Sequence, residues 1–180
     1  MKKLLTIAAS IAVASAVSAA GLNWNITAVT DATTGQKVSG YSAYLFISEQ
    51  SGDFGAKTAS ADEISTLITS GGDFAEYIAA GPTLTSAAGG VSGATGYNGN
   101  NFGAGDSLTA FAVIFDAADY ASAKNFIVTA AKSASWTSPT GSKSLGFGSQ
   151  ANATWTAVPE PATAALALLG LGLMIKRRKA

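Results

Sequence analysis

Apolar and polar positions alternate at the start of the middle region. Leu22, Trp24, Ile26 and Ala28 are separated by Asn23, Asn25 and Thr27, the period of a half-buried strand. Asp31 to Gly35 reads as a turn cluster. From Val38 to Ser48 a second strand carries Tyr41, Ala43, Leu45 and Ile47 on one face. Tyr44 and Phe46 lie on the other. Apolar groups on both faces predict a central strand.

The period then changes. Ser60-Ala61-Asp62-Glu63 fits a capping box, and Ile64, Leu67 and Ile68 follow at helical spacing. Ser70-Gly71-Gly72 stops that helix. Asp73 to Glu76 opens a second short helix with Tyr77 and Ile78, which Gly81-Pro82 ends. A two-helix insert is therefore expected over about 60–80. It carries Asp62, Glu63, Asp73 and Glu76, too acidic for a DNA-reading helix pair.

Seven glycines fall between Thr85 and Asp106, which predicts a long loop. Leu108 to Phe115 is the most apolar run of the middle region and reads as a central strand. Asp116 to Asp119 is a turn, and Phe126 to Thr129 a further strand. Ala151, Ala153 and Trp155 alternate with Asn152, Thr154 and Thr156 as a closing strand. The expected class is mainly β: an antiparallel β-sandwich-like domain with a two-helix insert, plus a C-terminal transmembrane helix.

Both ends have a different character. Lys2 and Lys3 precede an apolar stretch from Leu4 to Val17, and small residues follow. Charge, apolar core and small-residue site in that order make a secretory signal peptide over 1–19, with cleavage after Ala19 or Ala20. This reading gives the Sec translocon and signal peptidase as partners. The exported domain then covers 20–157.

Residues 158–180 read VPEPATAALALLGLGLMIKRRKA. Ala162 to Ile175 is uncharged and would span roughly 21 Å as a helix, short of a ~30 Å hydrocarbon core. Lys176, Arg177, Arg178 and Lys179 follow at once, as in a stop-transfer segment, and long cationic side chains can snorkel to extend the span. Pro159 and Pro161 keep the preceding peptide extended.

Val158-Pro159-Glu160-Pro161, an apolar helix and a basic cluster, in that order, resemble a PEP-CTERM sorting signal. The resemblance covers only the last 23 residues. Such tails occur on exported proteins of Gram-negative bacteria that make exopolysaccharide. It implies recognition by exosortase, a membrane-embedded cysteine-dependent transpeptidase, with cleavage near Pro159-Glu160-Pro161. It further implies an inner-membrane-anchored precursor with transient membrane residence, then a product at the cell surface or in the extracellular matrix. On this reading Glu160 is the recognition handle and residues 176–179 fix orientation.

Composition narrows the chemistry. The 180 residues include no Cys and no His. That excludes disulfides, thiol nucleophiles, a Ser-His-Asp triad and the usual zinc sites, and no cofactor is expected. The net charge of zero hides a segregation: residues 21–157 hold five bases against ten acids, a net of −5. An acidic exported body excludes nucleic acid as a partner.

The middle region holds 18 Val, Ile and Leu and all 16 aromatics, enough for one core. Asp116 and Asp119 could join a calcium site, but no DxDxDG loop is present, and a solvated turn is the better reading. The leading expectation is a non-enzymatic exported protein delivered to the cell surface or exopolysaccharide matrix. The second is a carbohydrate-binding module that stacks sugars of an exopolysaccharide on Tyr97, Phe102 or Trp136. The third is a hydrolase built from paired carboxylates.

Overall fold

The computed structural model describes residues 21–31, 33–51, 55–91, 104–137 and 141–159. Ten strands and one α-helix make up the described chain. They are β1 (Leu22–Asn25), β2 (Ala28–Val29), β3 (Ser42–Gln50), α1 (Ala61–Ser70), β4 (Ile78–Leu84), β5 (Ser107–Phe115), β6 (Asn125–Val128), β7 (Lys132–Ser135), β8 (Lys143–Gly146), β9 (Ser149–Gln150) and β10 (Thr156–Ala157).

The main sheet is antiparallel, in the order β10-β6-β5-β3-β4. β7 continues along the β6 side of β5. Thr129 makes the joint between β6 and β7. Its backbone N–H donates to the Ala112 carbonyl at 2.9 Å, and its hydroxyl accepts from the Ala112 N–H at 2.9 Å. The ladder therefore continues past the break, with the Thr129 and Ala112 backbone donors both paired.

Strict alternation along β3 and β5 sorts side chains to two faces, as the apolar pattern predicts for central strands. One face carries Ala43, Leu45, Ile47, Ala110, Ala112 and Ile114. The other carries Tyr44, Phe46, Phe111, Val113 and Phe115. Phe46 and Phe111 sit opposite each other in the register and stack at 5.6 Å. Such a pair adds about 0.5–1.5 kcal/mol beyond its buried area.

The aromatic face is covered by α1 through Ile64 and Ile68, with Phe74 beside them. The predicted capping box is present. The Ser60 hydroxyl accepts from the Glu63 N–H, and the Glu63 carboxylate accepts from the Ser60 N–H at 2.7 Å. Gly71 closes the helix in the left-handed conformation.

The aliphatic face is covered by a second, smaller layer. β1 pairs with β8 and β2 with β9, and both pairings are parallel. The Thr27 N–H donating to the Gly148 carbonyl at 2.8 Å joins the two ladders into one run. Leu22, Trp24, Ile26, Val29, Leu145 and Phe147 are buried from this layer. The half-buried strand at Leu22 to Ala28 is thus where the sequence places it. Its pairing corrects an expectation: the second layer is parallel, because β1 meets a partner some 120 residues away and period-two alternation is blind to strand direction.

Three further expectations are corrected. The second helix of the insert is only a 3₁₀ turn, Ala75–Tyr77, which runs directly into β4. The Asp73 carboxylate accepts the Ala75 N–H at 2.9 Å, a local bond that competes with helix propagation. Gly81 and Pro82 therefore lie within an edge strand and not after a helix. The β3–β4 register shifts there, and an edge tolerates the missing proline N–H. Gly81 has φ +121°, and a Cβ at this position would meet the Ala43 carbonyl oxygen at 2.7 Å. The closing strand shortens to β10. Ala151 and Asn152 form a turn, while Ala153 and Trp155 pack on the aliphatic core from outside a strand.

Among the described residues no helix is long and apolar enough to cross a membrane. The expected transmembrane segment 162–175 and the leader 1–19 lie outside the described residues.

Candidate functional site

The place where chemistry and fold meet is the junction between the domain and its tail. Pro159 has no N–H, so the outer edge of the sheet offers no donor there to a further strand. The proline ring also holds Val158 in extended backbone. The described strand β10 (Thr156–Ala157) stops just short of the Pro-Glu-Pro sequence.

Upstream of that stop, β10 lies on the edge of β6, with Thr156 opposite Phe126 and Ala157 opposite Asn125. The Val158 N–H extends the pairing by donating to the Lys124 carbonyl at 2.8 Å. The Val158 side chain is half-buried against the aromatic cluster, whereas Thr156, Ala157 and Pro159 are exposed.

One carboxylate shapes the receiving edge. Asp116 Oδ1 accepts the backbone N–H of Lys124 at 2.7 Å and of Asn125 at 2.9 Å. Its Oδ2 accepts the Asn125 side-chain amide at 2.8 Å. Asp119 caps the 3₁₀ turn Tyr120–Ser122, accepting the Ser122 N–H at 2.9 Å. The two acids weighed as calcium ligands are thus engaged as loop caps. Among the described residues no group of three or more acidic, His or Cys side chains could hold a metal ion.

Beside β10 opens a cleft of about 870 Å³ between the end of α1 and the 3₁₀ turn Tyr120–Ser122. Phe74, Phe115 and Tyr120 line it, and Val158 and Pro159 form part of its wall. Tyr120 is 38% exposed and contacts Phe74 at 4.9 Å and Phe115 at 6.1 Å. A second cleft of about 440 Å³ lies at the start of α1, near Asp62 and Glu63. There the Ser60 N–H holds the Glu63 carboxyl below the ordinary carboxylate range. That residue serves as part of the helix cap.

A third carboxylate has its own partners. The Tyr41 hydroxyl donates to Asp31 at 2.7 Å, and the backbone N–H groups of Thr34 and Thr33 donate to its other oxygen. These bonds hold the Asp31 carboxyl far below the usual range. Burial and the bond to Asp31 push the Tyr41 hydroxyl up to about 12.

The structure sorts the candidate residues as follows. Trp136 is 1% exposed inside the aliphatic core, so its ring presents no face to a sugar, and that platform is withdrawn. Its position just after β7, on the alternation of Ala134, is an inward one. Tyr97 and Phe102, the other two platforms, lie outside the described residues. So do Ala19, Ala20, Glu160, Pro161, Lys176, Arg177, Arg178 and Lys179. Val158 and Pro159 are described and stand together at the sheet edge. The role of Asp116 escaped the sequence reading, because an Asp eight residues before its partner is an ordinary turn residue.

Residues 157–179 match the family model of the PEP-CTERM protein-sorting motif. No curated protein and no solved structure matches the chain. The C-terminal segment is therefore a PEP-CTERM sorting motif. It marks the chain as a substrate for exosortase-targeted sorting, with exosortase as the processing partner, and implies export and sorting to the cell surface. The matched region begins inside β10, at Ala157.

Proposed function

We propose that this is a non-enzymatic exported protein that exosortase trims within Val158-Pro159-Glu160-Pro161 and delivers to the cell surface or the exopolysaccharide matrix. The observation that carries the reading is the sorting motif at 157–179, starting where the folded domain ends. A leader over 1–19, cut after Ala19 or Ala20 by signal peptidase, would bring the chain through the Sec translocon. The apolar segment 162–175 would then hold it in the inner membrane, oriented by Lys176 to Lys179.

In the trimming step a thiolate of exosortase would attack the carbonyl carbon of the scissile peptide bond. The tail leaves as a free amine, and the domain stays as a thioester. Water or an acceptor nucleophile then releases the thiol and completes hydrolysis or transfer. An extended peptide at the membrane surface suits that attack, and the prolines supply it.

Mass spectrometry of the mature C-terminus, in cells with and without exosortase, tests the proposal. The expected product ends near Pro159-Glu160-Pro161 only when exosortase is present. An intact Ala180 terminus in cells that have the enzyme would refute it.

A further inference from the structure

The sorting motif and the sheet share residues. Ala157 pairs with Asn125, the Val158 N–H is bonded to the Lys124 carbonyl, and the Val158 side chain rests on the aromatic cluster. Extended peptides are commonly held by strand addition, through main-chain hydrogen bonds. A transpeptidase that binds its substrate in this way needs free backbone on both sides of the bond it breaks. On the domain side one such backbone group, the Val158 N–H, is already committed to the β6 edge at Lys124, and the Val158 side chain is committed to the aromatic cluster.

We propose that β10 is a gate: the folded domain holds the front of its sorting motif closed, and exosortase trims the form in which β10 has peeled from β6. The inference rests on the exosortase reading above and adds the conformational step that precedes the chemistry. The gate is built to open at modest cost. β10 has two residues, both exposed, at the outermost position of the sheet, and beyond them the Val158 N–H adds a single described bond. Edge segments with few buried contacts open far more often than a central strand such as β5. Trimming then follows the population of the opened edge when opening is fast relative to cleavage. A fold that keeps the motif closed also keeps β6 covered, so its edge is not offered to another chain before the sorting step.

The test locks the gate and then gives it slack, in the full chain in cells that carry exosortase. Asn125→Cys with Ala157→Cys places a cysteine pair directly across β6 and β10 in a protein that has no other cysteine. Pulse-chase immunoblots follow loss of the tail, with each single variant and a reductant as controls. The oxidised pair should slow trimming by at least about tenfold, and reduction should restore it. A Gly-Ser-Gly-Ser insert between Ala157 and Val158 adds up to about 13 Å of free chain while leaving Val158 to Pro161 intact. The insert alone should speed trimming, and it should rescue the locked pair.

Equal trimming of locked and unlocked chains would overturn the gate, as would a locked chain that the insert fails to rescue. If the cysteines do not cross-link, the insert decides alone, and an unchanged rate would overturn the gate. An unmodified chain that keeps its tail in the presence of exosortase is a different failure, that of the sorting reading itself.

Discussion

Asp116 should be a costly loop carboxylate to remove, and the structure says by how much. Asp116→Ala deletes the acceptor for the backbone N–H groups of Lys124 and Asn125 and for the Asn125 side chain. Hydrogen bonds to a charged acceptor contribute about 1.5–3 kcal/mol each when protected and less when water can replace the acceptor. The Lys124 bond is exposed and the two Asn125 bonds are partly buried. The expected loss is therefore about 2–3 kcal/mol, well short of three full bonds. Asp116→Asn discriminates further. Its single amide oxygen can still accept the two backbone N–H groups, now without charge, and Asn125 must turn its amide over so that its oxygen meets the new NH₂. About half the loss should remain, ~1–1.5 kcal/mol. Urea unfolding of the purified protein measures both, read as a shift in midpoint at constant slope. A loss under ~0.5 kcal/mol for Asp116→Ala would refute the reasoning, because it would place Asp116 with ordinary surface positions.

Ser60→Ala removes the helix cap hydroxyl and should destabilise the protein by about 1 kcal/mol in the same assay. Gly81→Ala forces a Cβ towards the Ala43 carbonyl at a φ that other residues avoid, and should cost about 2–3 kcal/mol, with the β3–β4 amides losing exchange protection. The Tyr41 hydroxyl should ionise near pH 12 in an absorbance titration, and Tyr41→Phe should abolish that step. A raised folded value means this stability is complete below the ordinary phenol range and is lost as pH rises through about 12. For Asp31 the sign is opposite. Its folded value is lowered, so its stabilisation is present above the ordinary carboxylate pKa of about 3.9 and is lost as pH falls through the folded value. Tyr41→Phe should raise the Asp31 carboxyl titration seen by NMR.

Legibility in the sequence follows the range of the interactions. The capping box at Ser60 and the glycine stop at Gly71 are local, and both stand as read. The two-faced strands β3 and β5 are written in alternation that any central strand must show, and they too stand. The second helix failed because four residues of helical spacing compete with an Asp73 side-chain bond and with the open edge of β3. The parallel β1–β8 pairing had no local trace at all. Trp136 shows the limit for site residues. An aromatic next to Ser and Thr looks like a surface platform until the layer that buries it is known. The sorting motif lies at the other extreme, because an enzyme must read it in linear order and its parts are therefore contiguous. What the sequence could not show was that its first residues double as an edge strand.

That double use has a consequence for the trimmed product. The hydrogen bonds described at the junction involve residues up to Val158: Thr156 opposite Phe126 in the ladder, and Val158 to Lys124. The cluster under the junction is closed by α1, Phe74 and the main sheet, and among the described residues Val158 is its last contributor. A cut on the C-terminal side of Pro159 therefore leaves these interactions in place, and β10 can return to β6 once the tail is gone. The trimmed protein should match the untrimmed domain in urea midpoint within ~0.5 kcal/mol, the range of surface changes that touch nothing. A cut on the N-terminal side of Val158 removes both its backbone bond and its half-buried side chain, and should cost about 1–2 kcal/mol. Comparing the unfolding midpoint of the natural product with that of chains ended at Ala157 and at Pro159 thus locates the functional boundary of the domain. Equal stability of the two ended chains would show that Val158 is held by the tail and not by the fold, and would remove the physical basis for a closed gate.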